Sequence, residues 1–215
     1  MTTAASIAVV IAAGSSSVKD GAMLHLKEID STRWLAQVDE NLDEVLIDHA
    51  HCERKAATTA MGLIGAYALD RPLCREMTRI IAEEMEHYEM VLDILDRRGI
   101  TFRRLGAPPY GKRMGELVRS DEPNRAVDRL LVASLIEARS CQRFRTLADH
   151  IRPRDGELAD FYAGLFESEA RHHTTYVQLA EHYADRETVF ERLDQLSASE
   201  AKILSEGYSN PRMHS

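Results

Sequence analysis

Apolar residues recur along most of the chain at the three- and four-residue spacing that marks one face of an α-helix. The first such stripe includes Leu35, Val38 and Leu42 and continues to Ile64. Side chains at these spacings share one side of a helix, so they can be buried together. The pattern therefore predicts a first helix over about residues 31–68.

The same periodicity predicts four further helices. They cover about residues 72–98, 123–149, 155–184 and 186–205. Pro72 and Pro123 stand in the first turns of two of them, where a missing N–H is tolerated. Gly99 follows the second helix, as expected at a helix end. The sequence shows no alternating strand pattern and no Asn-Gly hairpin, so the predicted fold class is all-α.

The lengths of the connections predict how the helices are arranged. The first and second helices, and the third and fourth, are joined by short segments, so each pair should form an antiparallel hairpin. A long crossover separates the hairpins. This is the connectivity of a ferritin-like four-helix bundle, here with one additional C-terminal helix. We predict such a domain over residues 31–205, after an extension over 1–30 and before a tail over 206–215.

The first residues carry a short apolar run, "AASIAVVIAAG" at 4–14, which no Lys or Arg precedes. It is too short to cross a bilayer and lacks the charged leader of a signal peptide. We interpret it as a disordered extension or a misassigned start, with Met23 as the other start. A targeting segment is the alternative. No membrane association is expected.

Composition and charge limit the function classes. The chain has 215 residues, of which 44% are hydrophobic and 29% charged, and this fits one soluble domain with its own core. The formal net charge is −8, so nucleic-acid binding would need a local basic patch. Three cysteines lie far apart, which disfavours disulfides, zinc ribbons and iron–sulfur clusters and favours the reducing cytoplasm.

Two Glu-x-x-His motifs are the first candidate chemistry. Glu84 with His87, and Glu169 with His172, each lie on the apolar stripe of their helix. Residues at i and i+3 share a helix face, so both pairs should point into the bundle. Their neighbours, such as Glu83, fall off the stripe and are expected on a solvated face.

The two remaining bundle helices each place one glutamate on the apolar stripe, Glu53 and Glu137. Glu53 precedes Glu84 by 31 positions and Glu137 precedes Glu169 by 32. In antiparallel hairpins this near-equality sets each glutamate level with its Glu-x-x-His partner. The chain therefore contains two copies of one hairpin. His49, one turn before Glu53, either orients that ligand or is an ordinary bundle histidine.

Four buried carboxylates need compensating charge, since an unpaired buried carboxylate costs several kcal/mol. Two divalent cations would neutralise them, and this ligand set is known from di-iron and di-manganese bundles. Carboxylate-rich ligation suits iron or manganese, with Glu84 and Glu169 bridging and the other two glutamates terminal. The alternative is that these are surface residues. The candidate metal ligands are Glu53, Glu84, His87, Glu137, Glu169 and His172.

The crossover is strongly basic, with seven Lys or Arg and one acid over residues 97–119. Phe102 and Tyr110 in the same segment could stack on unpaired bases. This pattern predicts a nucleic-acid contact, and the alternative is a solvated loop whose arginines pair with acidic helices. The candidate contacts are Arg97, Arg98, Arg103, Arg104, Lys112 and Arg113.

Four strings carry a resemblance to a known family: "LIDHAHCERKAA" (46–57), "EEMEHYEMVLDILDRRGI" (83–100), "LIEARSCQRF" (135–144) and "FYAGLFESEARHHTTY" (161–176). They are similar to the bacterial tRNA-(2-methylthio-N6-isopentenyladenosine-37) hydroxylases, non-haem di-iron monooxygenases of the ferritin-like superfamily. The resemblance implies two Fe ions held by the six ligands above and O₂ as co-substrate. It also implies hydroxylation of the prenyl group in the tRNA anticodon stem-loop.

The electron source must be a separate reductase, because the chain has no dinucleotide-binding fingerprint. Other functions compatible with a di-metal bundle are a ferritin-like ferroxidase or a peroxidase in iron or peroxide handling. A rubrerythrin-like peroxidase would need a Cys-x-x-Cys module, which the sequence lacks. A metal-free helical interaction protein is the non-enzymatic alternative.

Overall fold

The computed structural model describes residues 24–215, and within that range the regular structure is helical, with no strand. The predicted apolar run at 4–14 and the alternative start at Met23 lie outside the described residues. Within the described range no helix is long and apolar enough to cross a membrane. The helices are α1 (Thr32–Ala66), α2 (Arg71–Arg97), α3 (Pro109–Gly115), α4 (Asn124–Ile151), α5 (Gly156–Ala180) and α6 (Arg186–Glu206).

The predicted bundle topology is confirmed. α1 packs along α2 and α4 along α5, each pair joined by a four-residue connection. The crossover from 98 to 123 joins the two hairpins, and α6 packs on α4. The four long helices thus form one bundle whose interior is shared by both hairpins.

Short acidic side chains begin three of the helices. Asp70, Asp155 and Asp185 each accept a hydrogen bond from the backbone N–H three residues further on. These N-caps satisfy donors that the first turn leaves unpaired, and each contributes about 1 kcal/mol. The connections before α2, α5 and α6 are therefore fixed by local sequence.

Two helix predictions were wrong in detail. α5 ends at Ala180 instead of 184, because the following residues form turns. The crossover contains the short helix α3, which was not predicted because prolines and glycines dominate its sequence. Tyr110 and Met114, four residues apart, are both buried against the bundle, so tertiary packing stabilises a helix that propensity disfavours.

The bundle interior consists of two apolar clusters separated by a polar layer. One includes Leu63, Met77 and Leu130; the other, towards the opposite end, includes Leu46 and Leu95. Each of the four long helices contributes residues to both clusters, and one glutamate of each helix lies in the sequence between residues of one cluster and residues of the other. These glutamates are Glu53, Glu84, Glu137 and Glu169. The polar layer is thus enclosed by hydrophobic packing at both ends.

The segments predicted to lie outside the domain, as far as the structure describes them, are packed on the bundle. Leu24 and Leu26 are buried, and the Lys27 N–H donates to Ser197 Oγ on α6. At the other end residues 212–215 are buried. Both flanking segments therefore contact the bundle, although neither has a helical period in the sequence that would mark it as packed.

Candidate metal centre

The six candidate ligands converge in the polar layer, and each is at least 93% buried. They form two overlapping groups whose candidate ligand atoms lie within 4.8 Å of one another. One group is Glu53, Glu84, His87 and Glu169, and the other is Glu84, Glu137, Glu169 and His172. Glu84 and Glu169 belong to both, so the geometry suits two adjacent cations with these two carboxylates between them.

Both imidazoles point Nδ1 at the carboxylates. His87 Nδ1 lies 3.2 Å from a Glu169 oxygen and 3.6 Å from a Glu53 oxygen. His172 Nδ1 lies 2.8 Å from Glu84 and 3.7 Å from Glu169. Each Glu-x-x-His motif therefore delivers its carboxylate and its imidazole nitrogen to the same space, as the i, i+3 spacing requires.

Several polar atoms in this space have no hydrogen-bond partner within the described part of the chain. They include Glu84 Oε1, His87 Nδ1, Glu169 Oε1 and His172 Nδ1. Buried polar atoms are ordinarily satisfied, and an exception calls for an explanation. Oxygen and imidazole nitrogen donors that face one another without partners are what a bound metal pair would use, so the residues fit a di-metal site.

The outward nitrogens of the two imidazoles are held by neighbouring side chains. His172 Nε2 donates to Glu83 Oε2 at 2.9 Å. His87 Nε2 lies 3.3 Å from Ser168 Oγ, which itself donates to the Leu165 carbonyl. With the proton on Nε2, the lone pair on Nδ1 faces the cluster, and this is the tautomer that a metal needs.

Glu83 is thus a functional candidate that the helical pattern assigned wrongly to a solvated face. Its side chain is about one-third exposed, yet it contacts both His172 and Arg171. Burial by itself would raise the pKa of Glu83, but the contacts with Arg171 and His172 lower that pKa below its ordinary value. The sequence contains one indication of this role, because Glu83 directly precedes the candidate ligand Glu84. That position does not show in which direction the Glu83 side chain points.

The buried carboxylates differ in the direction in which their surroundings shift their pKa. Burial, and then the neighbouring carboxylate of Glu169, raise the pKa of Glu84 well above its usual range. Burial, followed by Glu84 and Glu169, does the same to the pKa of Glu137. Burial would also raise the pKa of Glu53, but contact with His49 holds it below the ordinary value. The layer therefore concentrates negative charge that favours bound cations.

The pKa values of the two candidate imidazole ligands shift in the direction that favours positive charge. Burial would lower their pKa, but Glu169 and Glu53 raise the pKa of His87 to about 10. Glu169 and Glu84 raise the pKa of His172 to about 11. These shifts measure how strongly the carboxylates favour positive charge between them.

His49 contacts the candidate ligand Glu53, as the orienting role considered from the sequence requires. The residue is fully buried, and its Nε2 lies 2.5 Å from Glu53 Oε1. Its Nδ1 lies 3.3 Å from the Tyr162 hydroxyl, and the two rings are stacked. The i, i+4 spacing of His49 and Glu53 brings the imidazole onto the carboxylate, and Tyr162 fixes its position.

Replacing Glu83 by alanine is expected to weaken metal binding about 10- to 100-fold, because His172 would lose the partner that fixes its tautomer. Titration of the metal-free protein with Fe²⁺ or Mn²⁺ would measure this change. Glu86→Ala, an exposed glutamate on the same helix, is the control and should bind like the wild type. Equal affinity of both variants would contradict the role of Glu83.

A cavity of about 740 Å³ leads from the carboxylates towards the surface. Glu53, Glu84, Glu137 and Glu169 line its inner part, and its walls are mostly small or apolar residues of α1, α3 and α4. Its lining also includes four cations: Arg54, Lys55, Lys112 and Arg129. The cluster is therefore accessible to a substrate through a pocket that carries positive charge.

The predicted basic candidates are distributed over two regions. Lys112 lines the cavity. Arg97 and Arg98 instead line a separate pocket of about 410 Å³ that contains no candidate metal ligand. Arg98 pairs with Asp155 and Arg103 with Glu44.

Arg113 also pairs with an acid, Glu206, at 2.6 Å. Arg104 is exposed. Several of these arginines thus pair with acidic helices, as the alternative interpretation expected. Contact of the whole set with tRNA stays a prediction.

Three of the cavity cations were not among the sequence candidates. Arg54 and Lys55 directly follow the ligand Glu53 and are exposed, and Arg129 lies over the Tyr67 ring. The signal for the first two was their position one and two residues after a ligand. Arg129 lies far along the chain, so only the tertiary structure brings it to the cavity.

Comparisons with known proteins place the chain in a family. Residues 20–215 match the model of the family described as tRNA-(MS[2]IO[6]A)-hydroxylase (MiaE). The chain belongs to this hydroxylase family. A Pseudomonas putida relative named tRNA 2-(methylsulfanyl)-N(6)-isopentenyladenosine(37) hydroxylase is 39% identical over 182 residues, which cover 85% of this chain and 87% of that protein. The family resemblance inferred from the four sequence strings is confirmed.

Two further relatives support the same placement. A Salmonella typhimurium protein of the same name is 29% identical and covers 85% of this chain and 84% of its own length. A solved structure, titled Protein 43 with aldehyde deformylating oxygenase activity from Synechococcus, is 40% identical with a TM-score of 0.84. It covers 88% of this chain and 95% of its own. The hydroxylase family member described here therefore shares its fold with an oxygenase of known structure.

Proposed function

We propose that this hydroxylase acts on tRNA and hydroxylates the isopentenyl side chain of 2-methylthio-N6-isopentenyladenosine at position 37. Family membership over residues 20–215 carries this proposal, because the relatives are named for that reaction. The cavity supports it independently. The cavity joins the carboxylate–imidazole cluster to a surface that carries Arg54, Lys55 and Lys112. A substrate that consists of an apolar chain attached to an anionic polymer needs both an apolar channel and a basic surface.

We propose that the cluster would hold two Fe ions through Glu53, Glu84, His87, Glu137, Glu169 and His172, of which Glu84 and Glu169 belong to both groups of ligand atoms. When bound, they supply the activation of O₂, with electrons from an external electron-transfer protein. The chain's own contribution is to hold the Nδ1 lone pairs inward through Glu83 and Ser168. The apolar residues of the walls would contact the prenyl chain and limit the access of water to the reacting carbon.

The tRNA would present its anticodon loop, where bases are unpaired and can leave the stack. Cations of the cavity lining would contact phosphates, and the prenyl chain would enter between α1 and α4. The cytoplasm, where tRNA is modified, is the proposed location, and the free cysteines fit a reducing compartment. The ferroxidase alternative needs access for metal ions alone, whereas a cavity of about 740 Å³ suits an organic group.

Nucleoside analysis of total tRNA tests the reaction directly. A strain that makes the prenylated, methylthiolated adenosine but lacks this hydroxylase should contain only the unhydroxylated nucleoside. Expression of the wild-type chain should convert it, and a chain carrying Glu137→Ala should not. If the wild-type chain, purified with bound iron, leaves the nucleoside unchanged in cells that supply reductant, the proposed substrate is wrong.

Charge reversal at the cavity separates the two basic regions. Lys55→Glu with Lys112→Glu is expected to weaken binding of an anticodon stem-loop RNA and to lower its salt slope by about one for each lost phosphate contact. The matched variant Arg97→Glu with Arg98→Glu carries the same charge change away from the cavity. If the second pair lowers affinity and the first does not, tRNA docks at the pocket lined by Arg97 and Arg98 and not at the cavity.

A further inference from the structure

The segment over 211–215 is bound to the bundle through its backbone. The Trp34 indole N–H donates to the Arg212 carbonyl at 2.9 Å, and the Met213 N–H donates to Asp48 Oδ2 at 2.9 Å. The Arg212 side chain approaches the same carboxylate, with Nε 3.6 Å from Asp48 Oδ1, and also donates to the Gly106 carbonyl at 3.3 Å. The segment is thereby fixed between α1 and the crossover.

These contacts place His214 in the cavity wall. Its ring lies parallel to that of Tyr110, with an interplanar angle of 2° and a centroid separation of 4.8 Å. Both residues are 5% exposed and both line the cavity. Among the lining residues of the described chain they are the two with aromatic rings. A pair of rings stacked on one another therefore interrupts a wall made mostly of aliphatic and small residues.

Both rings are held from behind by buried polar groups. The Tyr110 hydroxyl donates to Glu200 Oε1 at 3.1 Å, and Glu200 is paired with Arg139 on α4. His214 Nε2 lies 3.5 Å from Ser140 Oγ. Burial, and then the guanidinium groups of Arg143 and Arg139, lower the pKa of His214 to about 3. The imidazole is therefore neutral at physiological pH and presents an uncharged ring.

The position at which His214 contacts α4, relative to Glu137, is compatible with the length of the prenyl chain. Ser140, which contacts His214, lies three residues after the ligand Glu137 on α4, a rise of about 4.5 Å along the helix. A five-carbon prenyl chain has a comparable length. When its end reaches the carboxylates, the purine that carries it must lie near Tyr110 and His214.

We propose that the Tyr110–His214 pair is the surface against which the purine ring of the substrate packs, so that His214 is a positioning and specificity residue. This role rests on the proposed function. Packing of a base on an aromatic or imidazole ring requires a flat face and no particular base sequence. The protein then selects the prenylated adenosine over the unmodified one, because only the prenylated base has a chain that can enter the apolar cavity. The unmodified base stays in the anticodon loop.

The test compares two anticodon stem-loop RNAs that differ only in the prenyl group of the adenosine at position 37. Dissociation constants are measured with the metal-free protein. The wild type is expected to prefer the prenylated RNA by about tenfold, the order of one stacking contact. His214→Ala and His214→Gln should each lose most of this preference, with affinity for the unmodified RNA changed less than about twofold.

His214→Phe keeps a flat ring and should retain the preference for the prenylated RNA. If the imidazole nitrogens acted only to hold the fold together, this variant would lose the preference as well. His182→Ala, an exposed histidine outside the cavity, is the control for histidine loss. If the wild type discriminates and His214→Gln discriminates equally well, the positioning role is overturned while the proposed function stands. If the wild type binds both RNAs equally, the positioning role is overturned, whereas failure of the proposed function would appear as an unchanged nucleoside in the tRNA analysis.

Discussion

Replacing Glu169 by alanine is expected to abolish the binding of both metal ions and to reduce hydroxylation more than about 100-fold, since even changes beyond the ligands cost 10- to 100-fold. The reason is geometric, because Glu169 belongs to both groups of ligand atoms. Glu137 belongs to one group only. Glu137→Ala should therefore retain about half of the metal while also losing activity, because a two-metal reaction needs both ions. Metal analysis of the purified variants and tRNA nucleoside analysis measure the two effects.

The helical content of the Glu137→Ala variant should stay close to that of the wild type. Burial and neighbouring carboxylates raise the pKa of Glu137, so its ionised side chain is unfavourable in the metal-free fold and its removal relieves that cost. Glu167→Ala on α5, whose side chain is exposed, is the control and should keep metal and activity. A Glu169→Ala protein with the metal content of the wild type would show that this carboxylate is not shared.

Glu200→Ala is expected to destabilise the fold by about 3–5 kcal/mol, because it leaves the Arg139 guanidinium buried without its partner. Both side chains are fully buried, and Arg139 donates to Glu200 through Nε at 2.8 Å and through Nη2 at 2.5 Å. For a chain of this length the loss corresponds to a decrease in Tm of roughly 10 °C, measured by circular dichroism. The same change removes the acceptor of the Tyr110 hydroxyl.

An exposed pair provides the matched control for this variant. Glu76 and Arg79 lie one turn apart on α2, with half-exposed or exposed side chains. Glu76→Ala should therefore change stability by less than about 1 kcal/mol. If both variants melt at the temperature of the wild type, the buried pair contributes nothing and Tyr110 is held by other contacts.

The helical period allowed the sequence to predict the bundle and its six candidate ligands. Because side chains at i and i+3 lie on one face, Glu84 with His87 and Glu169 with His172 had to point the same way. The near-equal spacing of Glu53 and Glu137 from these motifs set all four carboxylates at one level. These relations are local or repeat within a hairpin, so a one-dimensional pattern can contain them.

The surroundings of the site could not be predicted in this way. Glu83 lies beside a ligand, but its contact with His172 depends on how closely α2 and α5 approach. The same holds for α3, whose helical form depends on burial of Tyr110 and Met114 against the bundle. Propensity and periodicity describe a helix in isolation, whereas these features depend on what packs against it.

The sequence by itself determined the all-α topology and the candidate residues that converge between the two hairpins, because each follows from the spacing of side chains within a helix. It also indicated the family, through four strings that resemble known hydroxylases. Only the tertiary structure decided that residues 211–215 form a wall of the cavity, that Arg129 joins Arg54 and Lys55 at its lining, and that Arg97 and Arg98 lie elsewhere. Contacts between segments far apart in the chain depend on the packing of the whole bundle, and no local period of the sequence records them.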